Sequence, residues 1–391
     1  MPESANAISD ITIFARYKTE SWKLGAVADL VVSWELNRPG MMSFRVPTRQ
    51  LLAMGAGSSG TILDLNVWSS GGSAGSQKYA SDLLGKWVEY RHPTAGFWGG
   101  RISSVHHDDG ITSVGAEGYL SLLKGRRYVP KDDGSAPADT TIAQYLKAAL
   151  TAAESDEPLG FTPFDAGNKW GIQGNSNAIS PAEGDLLDDV IPAVLDIVDN
   201  RMAVVGVQAS ETQRKLAVLG LVNMAASVQL SKGVEITGWS YGGDLWAGSN
   251  TVRARTRFWY STGSGKKTVK KRLVRLKTGI YQPSVARFGR IETESVQLRG
   301  TFNSESQAAT RANDIALKEA NQFFQITLRL ADVNNCFARL EGGNDYGYSN
   351  VLVDLGELTG GPVTTTPPPL RIESKSLDVA RGEMTVAVMP W

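Results

Sequence analysis

Two of the three histidines in this 391-residue chain stand beside two carboxylates, in the run His106-His107-Asp108-Asp109. Imidazole and carboxylate groups are common zinc ligands, so this run is the first candidate metal site. Neighbouring residues of a strand point to opposite faces, however, and His106 and His107 are therefore poorly placed to bind one ion. Asp109-Gly110 is also a strong signal for a type I′ hairpin turn. The pattern predicts a turn and no metal site.

A possible catalytic serine lies in the segment GGSAG, residues 71–75, which matches the G-x-S-x-G pattern of hydrolases by letter. A nucleophile elbow requires a strand before the serine, a helix after it, and an acid and a histidine further along the chain. Ser73 instead lies in a stretch rich in serine and glycine, and the last histidine is His107. The match therefore predicts a loop and no catalytic serine.

Acidic pairs are the remaining catalytic candidates, because two carboxylates can act as the acid and base of a glycosidase. Asp188 and Asp189 more simply occupy the polar face of a predicted helix, and Glu292 and Glu294 the outer face of a predicted strand. No glycine loop with a following lysine suggests a phosphate site. We therefore predict no enzyme, and no catalytic residue, metal or cofactor.

The sequence contains one concentrated basic segment, residues 263–279, preceded by Arg253, Arg255 and Arg257. Its lysines and arginines are Lys266, Lys267, Lys270, Lys271, Arg272, Arg275 and Lys277. Such a positive field could contact phosphates or a protein partner. It could equally form the solvated tip of a long hairpin, where lysines protect an exposed strand edge. All three interpretations remain open at this point.

Composition favours a turn-rich β protein without disulfides. Lysine plus arginine equals aspartate plus glutamate, at 40 each, so no net charge indicates a nucleic-acid or membrane partner. The 41 glycines cluster between alternating segments, as turns of a β protein require. Cys336 is the sole cysteine, and we predict that it is simply buried. The start of the chain does not resemble a signal peptide, and no apolar run is long enough to span a bilayer. We therefore expect a protein made in a cytoplasm.

The clearest local structure is the hairpin WELNRPGMMSFRVP, residues 34–47. Apolar residues alternate with polar ones on both sides of the turn, which is the period of a half-buried strand. Arg38-Pro39-Gly40-Met41 matches a type II turn, because Pro39 sets its own φ and Gly40 tolerates a positive φ. We predict that Trp34 and Phe44 are buried in the same layer and that residues 38–41 form a loop.

Other segments give a mixed pattern along the chain. Strands are predicted at 61–68, 86–92, 100–107 and 111–119, and helices with N-terminal caps at 138–153 and 180–200. A strand pair follows in MAVVGVQ and KLAVLGLV. Ser304 and Gln307 open a further helix with a stripe of small apolar residues, and a strand with Ile326, Leu328 and Leu330 comes next. A hairpin turning at residues 380–383 closes the chain.

In this order the motifs resemble the baseplate hub, or minor tail protein, family of tailed bacteriophages. The motifs that carry the resemblance are LNRPGMMSFRVP, WGGRISSVHHDDGITSVGAEGYLSLLKGRRYV, DLLDDVIPAVLDIVDNRM, GWSYGGDLWAGSNTVRARTRF, ARFGRIE and QAATRANDIALKEANQFFQITLRL. They span roughly residues 8–358. The resemblance implies a mainly β fold with an α+β insertion, comprising two tube-forming β-barrel domains and smaller accessory domains.

The resemblance also implies a division of the chain. The first tube-like barrel covers residues 1–135, the α+β insertion 136–233, and the second barrel region 234–358, including a helix at 304–321. Beyond the resemblance, the proline-rich composition of residues 359–370 predicts a Pro/Thr linker, and residues 371–391 are predicted to form a C-terminal β-hairpin packed back on a sheet. Members often carry a long C-terminal extension with peptidase or receptor-binding domains. The sequence shows no such extension, so we expect that this protein does not digest cell wall or recognise the host.

The function implied is that of a structural virion protein assembled in the host cytoplasm. Three copies would form a ring that joins the tail tube to the tail tip and lines the DNA channel. Its partners would be the tail tube or distal tail protein, the tape-measure protein, a central fibre or spike, and DNA in transit. The candidate assembly interface comprises Arg38, Pro39, Gly40, Lys266, Lys267, Lys270, Lys271 and Arg272.

Two alternatives from other functional classes remain. One is a tail-tip cell-wall hydrolase, which clearing of peptidoglycan in a zymogram would support. The other is a β-rich carbohydrate-binding module, for which the ten tryptophans are a modest argument. Binding of a monomer to glycans would favour the module.

Overall fold

The computed structural model describes residues 11–14, 21–35, 38–54, 83–123, 162–163, 203–209, 214–220, 228–245, 247–262, 269–292, 296–297, 304–321, 324–341, 350–355 and 370–390. Within these ranges the chain is mainly β, with nineteen strands and four α-helices. The mainly β class predicted from the sequence is therefore confirmed.

The strands are β1 Ile11–Phe14, β2 Ser21–Lys23, β3 Ala28–Glu35, β4 Met41–Pro47, β5 Trp87–His92, β6 Gly96–Asp108, β7 Ile111–Gly118, β8 Thr162–Pro163, β9 Ala203–Ala209, β10 Arg214–Gly220, β11 Val228–Ser231, β12 Ile236–Gly243, β13 Thr251–Thr262, β14 Val269–Ile280, β15 Val296–Gln297, β16 Phe324–Ala331, β17 Asn350–Asp354, β18 Leu370–Asp378 and β19 Glu383–Pro390. The helices are α1 Thr48–Met54, α2 Gln282–Phe288, α3 Glu305–Asn321 and α4 Cys336–Glu341. Two 3₁₀ segments cover Tyr119–Leu123 and Val333–Asn335.

One large sheet joins the beginning and the end of the chain. Its order is β12-β16-β19-β18-β3-β4-β7-β6-β5-β1-β2, and the parallel pair β11–β17 attaches through β18. The described strands thus form an open path that ends at β12 and β2. Two separate closed barrels, as predicted, are not seen in the described residues. Strand β18, the first strand of the C-terminal hairpin, pairs directly with β3, so an N-terminal hairpin and a C-terminal hairpin share one sheet.

The first core lies under β3, β4, β6 and β7. Its apolar side chains are those that the alternation in the sequence predicts to face inward. In β4, Met42, Phe44 and Val46 are buried while their neighbours are exposed, and Pro47 is the last residue of the strand. In β3, Leu30 and Val32 are buried in the same cluster as Phe44. The predicted burial of Phe44 is confirmed, whereas Trp34 is only half-buried. The predicted loop at residues 38–41 is too long by one residue, because Met41 already belongs to β4.

The second core lies between the C-terminal strands and α4. It contains Leu328 and Leu330 of β16, Met384, Val386 and Val388 of β19, and Cys336, Phe337 and Leu340 of α4. The alternation predicted for β16 and the turn predicted at residues 380–383 are both confirmed. Trp34 packs partly against this core and partly against the first, so its position is at their boundary.

A third cluster joins α3 to the long hairpin β13–β14. Ser304 caps the helix, because its Oγ accepts a hydrogen bond from the Gln307 N–H at 3.2 Å. The predicted stripe is buried: Ala308, Ala312, Ile315, Ala316 and Ala320. Four of these residues pack with Val252 and Ala254 of β13. The helix and its apolar face were thus predictable from the 3.6-residue period.

The turn between β3 and β4 differs from the predicted type II turn. The chain reverses earlier, since the Arg38 N–H donates to the Glu35 carbonyl at 3.3 Å. Gly40 is not among the glycines with positive φ. A Cβ at Gly40 would lie closer than 3.0 Å to the Ser33 carbonyl, so the position requires glycine for close packing. The sequence analysis correctly identified Gly40 as a position that needs glycine, but the reason is close packing and not a positive φ.

The β6–β7 turn and the β9–β10 pair agree with the patterns in the sequence. Asp109 and Gly110 both have positive φ, at 41° and 79°, so the type I′ turn between β6 and β7 is confirmed. The predicted strand pair is confirmed as antiparallel β9–β10, with β8 added in parallel. The predicted strand at 61–68, the predicted helices at 138–153 and 180–200, the GGSAG segment and most of the 359–370 linker lie outside the described residues.

Candidate assembly interface

The turn that carries Arg38, Pro39 and Gly40 is only partly available to a partner. Arg38 is exposed and Pro39 is half-buried. Gly40 is buried within the chain, and its carbonyl accepts a hydrogen bond from the Gly118 N–H at 2.7 Å. The large exposed side chain beside this turn is Met41, at 57%. A partner at this end of the sheet would therefore contact Arg38 and Met41 more than Gly40.

Behind the turn, two tryptophans connect strands that are not neighbours in the sheet. The Trp34 indole N–H donates to the Phe97 carbonyl, and the Trp98 indole N–H donates to the Ser33 carbonyl, each at 3.0 Å. Strands β4 and β7 separate β3 from β6, so the sheet must curl for these groups to meet. The two hydrogen bonds stabilise the curvature of the sheet, and both indole N–H donors have an acceptor.

A buried lysine packs against Trp34 from the neighbouring strand. Lys375 of β18 lies opposite Trp34 in the sheet and is only 1% exposed. Its Nζ lies 4.7 Å from the centre of the Trp34 ring, a cation–π distance. Trp34 therefore anchors the C-terminal hairpin to β3, a role that its position in the alternating pattern does not reveal.

The basic segment is confirmed as part of a long hairpin, with twelve paired positions from Thr251–Ile280 to Thr262–Val269. Lys270, Lys271 and Arg272 lie in β14, whereas Lys266 and Lys267 lie outside the described residues. Lys277 pairs with Glu305 at the start of α3, on the helix-covered side. Arg253 pairs with Glu292 at 3.2 Å. The hairpin thus carries its charge on a scaffold braced by α3.

A polar contact joins the β5–β6 loop to the start of α4. The His92 Nδ1 accepts hydrogen bonds from the backbone N–H groups of Thr94 and Ala95, at 3.2 and 3.0 Å. The Thr94 hydroxyl donates to Asp332 at 2.7 Å, and the other Asp332 oxygen accepts the Phe337 N–H at 3.0 Å. Asp332 thereby caps α4 and holds the loop at once.

The protein should lose stability as the pH falls below about 6.5. Burial lowers the pKa of His92 more than Asp332 raises it, so the unfolded chain binds a proton more readily than the folded one. Stability from this group is present above the unfolded pKa and is lost on acidification. We expect urea unfolding to give a lower free energy of unfolding at pH 5 than at pH 7, with a smaller difference in His92→Gln. Equal stability of the wild-type protein at both pH values would contradict this.

Around Cys336, burial and charge produce an inert thiol rather than a reactive one. Burial raises the pKa of Cys336 to about 11, although the nearby Arg339 lowers it. Arg339 donates to buried Glu235 at 2.7 Å. Burial raises the pKa of Glu235, but the Ser231 N–H and Arg339 together bring it below the ordinary value. The prediction of a buried cysteine is confirmed.

Alkylation should therefore be very slow in the folded state. At pH 8 a thiol with a pKa of about 11 is thiolate in roughly one molecule in a thousand, and burial blocks the reagent as well. We expect iodoacetamide to modify Cys336 only after unfolding in urea. A Ser43→Cys variant of Cys336→Ala is the matched control, because position 43 is exposed and should react at once. Rapid labelling of native Cys336 would contradict the structure.

The metal candidates are not brought together. His106 is exposed, whereas His107 is half-buried and its Nδ1 lies 2.8 Å from the Thr112 hydroxyl. Within the described ranges, no group of three histidine, cysteine or acidic side chains is placed to hold a metal ion. Glu292 pairs with Arg253 and Arg290. Ser73, Asp188, Asp189 and Glu294 lie outside the described residues.

The curled β-sheet and α3-backed hairpin can be compared with solved structures. The 43 kDa tail protein of prophage MuSo2 from Shewanella oneidensis matches with a TM-score of 0.51 and 10% identity, over 97% of each chain. A tail protein from Neisseria meningitidis MC58 matches with a TM-score of 0.52 and 10% identity, over 98% of this chain and 96% of that one. This chain has the fold of phage tail proteins.

The tail-protein fold confirms the resemblance that the sequence motifs predicted. A third structure, the prophage tail protein gp18 from Listeria monocytogenes EGD-e, has 13% identity and a TM-score of 0.49 over 97% of this chain and 94% of that one. No protein-family model and no curated protein matches the sequence. Among the described helices, none has the length and apolar character needed to cross a membrane.

The tail-protein fold contains residues that sequence reasoning missed. The Trp34–Trp98 exchange and the Thr94–Asp332 contact join residues 63 to 238 positions apart. Neither pair has a local signal, because periodicity reports which face a side chain takes but not which distant carbonyl it reaches. The only signal for such contacts in the sequence was its ten tryptophans, whose indole N–H groups need hydrogen-bond acceptors when they are buried.

Proposed function

We propose that this chain is a structural protein of a bacteriophage virion, a baseplate or tail-tip hub. The observation that carries the proposal is the likeness of fold, over nearly the whole chain, to two proteins named as tail proteins. The hub acts by assembly and not by catalysis. Three copies form a ring that joins the tail tube to the tail tip and surrounds a channel for DNA.

The proposed ring uses the chain in parts. Residues 1–135 and 234–358 supply two tube-forming barrels per copy, which neighbouring copies complete, and residues 136–233 form the insertion. The curl of β3–β4–β7–β6 supports this, because an open sheet bent by the Trp34–Trp98 pair is suited to joining a larger closed wall. The Pro/Thr linker at 359–370 leads into the hairpin at 371–391.

The proposed contacts follow from the candidate interface. Arg38, Pro39 and Gly40 lie at one end of the curled sheet, where a neighbouring copy or the tail tube protein binds. The long hairpin, with Lys270, Lys271 and Arg272 in β14, extends the second barrel toward a neighbour, and Lys266 and Lys267 precede β14 in the sequence. A distal tail protein, the tape-measure protein and a central fibre or spike are the remaining partners.

Electron microscopy of the intact tail tests the hub. The chain carrying a fused tag should appear at the tip end of the tail tube, in three copies around the tail axis. A control tag on the major tube protein should label the whole tube. Absence of this chain from purified virions, or a position on the shaft in sixfold copies, would overturn the proposal.

A further inference from the structure

The hairpin β13–β14 has one covered face and one open face. Alpha helix α3 packs on Val252 and Ala254. The opposite face carries Arg253, Arg255, Val274, Leu276 and Thr278, which we call the basic ribbon face. Val274 and Leu276 are 46% and 52% exposed, and Arg255 pairs directly with Leu276 across the two strands. The face therefore combines a lane of arginines with a lane of apolar side chains.

The outer edge of this hairpin is also open in the described part of the chain. The small sheet has the order β14-β13-β15, so β14 is an edge strand. Exposed apolar residues on an edge strand favour association with another chain. The surface thus has an apolar centre beside charged residues, which is the usual anatomy of a protein interface.

The charge around this face is unusually one-sided. Residues 253–277 contain ten lysines and arginines and no acidic residue. Among the described residues, Glu292 pairs with Arg253 and Glu305 pairs with Lys277. Glu292 offsets the charge of Arg253 on the open face, whereas Glu305 lies on the α3 side and leaves Arg255 of the open face unneutralised. A partner with concentrated negative charge would complement the surface.

Such a partner exists in the same sequence. Residues 132–199 contain thirteen aspartates and glutamates but only two lysines. Residues 253–277 hold ten of the 40 basic residues and residues 132–199 thirteen of the 40 acidic residues, so part of the charge is segregated along the sequence. A basic surface and a separate acidic segment on one chain can produce head-to-tail contacts between copies, which close into a ring when the rotation between copies allows it.

We propose that the basic ribbon face binds the acidic segment, residues 132–199, of a second copy of this chain. The inference rests on the proposed ring and identifies one contact that closes it. DNA is the competing occupant for the arginines, but DNA phosphates give no role to exposed Val274 and Leu276. Every copy in a ring carries the acidic segment, whose negative charge is opposite to that of the basic ribbon face.

Zero-length crosslinking of the full-length protein tests which copy provides the carboxylates. Equal amounts of ¹⁴N- and ¹⁵N-labelled protein are mixed at low salt and treated with a carbodiimide, which joins lysine to carboxylate without a spacer. Peptides that link a lysine of residues 266–277 to an acid of residues 132–199 should include mixed-isotope pairs. Links of a single isotope only would show an intramolecular contact and overturn the inference, as would the absence of such links.

Sedimentation velocity measures the strength of the contact. We expect the wild-type protein to associate at about 50 mM salt and to dissociate as salt screens the charges. Arg255→Glu/Leu276→Glu should weaken association by about tenfold or more, since an interfacial charge pair and an apolar contact are lost together. Arg49→Glu is the control, because Arg49 is an exposed arginine of α1 far along the sequence from this face.

Two outcomes overturn the inference outright. One is a wild-type protein that remains monomeric at low salt, and the other is equal weakening by the two variants. Preferential binding of duplex DNA to the basic ribbon face, lost in Arg255→Glu/Leu276→Glu, would also replace it with the nucleic-acid interpretation. Failure of this inference would not decide the proposed hub function, because the position of the chain in virions is determined separately by microscopy.

Discussion

Gly279→Ala should destabilise the protein by about 3 kcal/mol, at the upper end of the cost of overpacking. A Cβ at Gly279 would lie closer than 3.0 Å to the Ala312 carbonyl and to the Asn313 backbone nitrogen. Both are backbone groups of α3 and cannot rotate away as a side chain could. The helix would have to move off the hairpin, which would also separate Ala308 and Ala312 from β13.

Urea unfolding of Gly279→Ala measures this cost, and the matched control is Gly242→Ala. Gly242 lies in β12, and a Cβ there would meet no atom within 4 Å. The control should change the free energy of unfolding by no more than about 0.5 kcal/mol. If the two variants were equally stable, the close packing of α3 on β14 would be wrong. Because α3 supports the basic ribbon face, Gly279→Ala should also reduce self-association.

Replacement of Gly40 should also greatly lower the free energy of unfolding. The choice of replacement distinguishes two reasons for a glycine at this position, a positive φ and close packing. In a type II turn, asparagine is tolerated better than alanine because it adopts positive φ more easily. In the structure, any Cβ at Gly40 meets the Ser33 carbonyl at less than 3.0 Å. Gly40→Asn and Gly40→Ala should therefore both destabilise the protein, by about 2–3 kcal/mol.

Gly110 provides the control for this experiment. It has a φ of 79°, and a Cβ there would meet nothing within 4 Å. Gly110→Asn should be nearly neutral, and Gly110→Ala should be worse than Gly110→Asn, because only conformation matters at that turn. Thermal unfolding of the four variants is sufficient. Good tolerance of asparagine at position 40 would restore the type II turn and refute the close approach.

Local patterns predicted most of the elements that the structure describes. The alternation of Met42, Phe44 and Val46 placed β4 correctly, and the cap at Ser304 with its apolar stripe placed α3 within one residue. These succeeded because side-chain direction repeats every two or 3.6 residues, so a few residues report the buried face. The type I′ turn at Asp109-Gly110 succeeded because few residues accept its backbone angles.

Pairing between distant strands was not predictable in the same way. The residues of β18 indicate neither that Lys375 is buried nor that the strand lies beside β3 rather than at the edge of a second barrel. The choice depends on the fit of many weak contacts between segments more than 300 residues apart. No local propensity contains that information.

The sequence by itself determined the mainly β class, several turns, the capped helix α3, the long basic hairpin and the likeness to phage tail proteins. Each follows from periodicity, backbone preference or the order of motifs. Only the tertiary structure decided that the two terminal hairpins share one sheet, that Trp34 and Trp98 hold its curl, and that Gly40 is needed for close packing. Those features depend on distances between atoms far apart in the chain, which packing of the whole core determines.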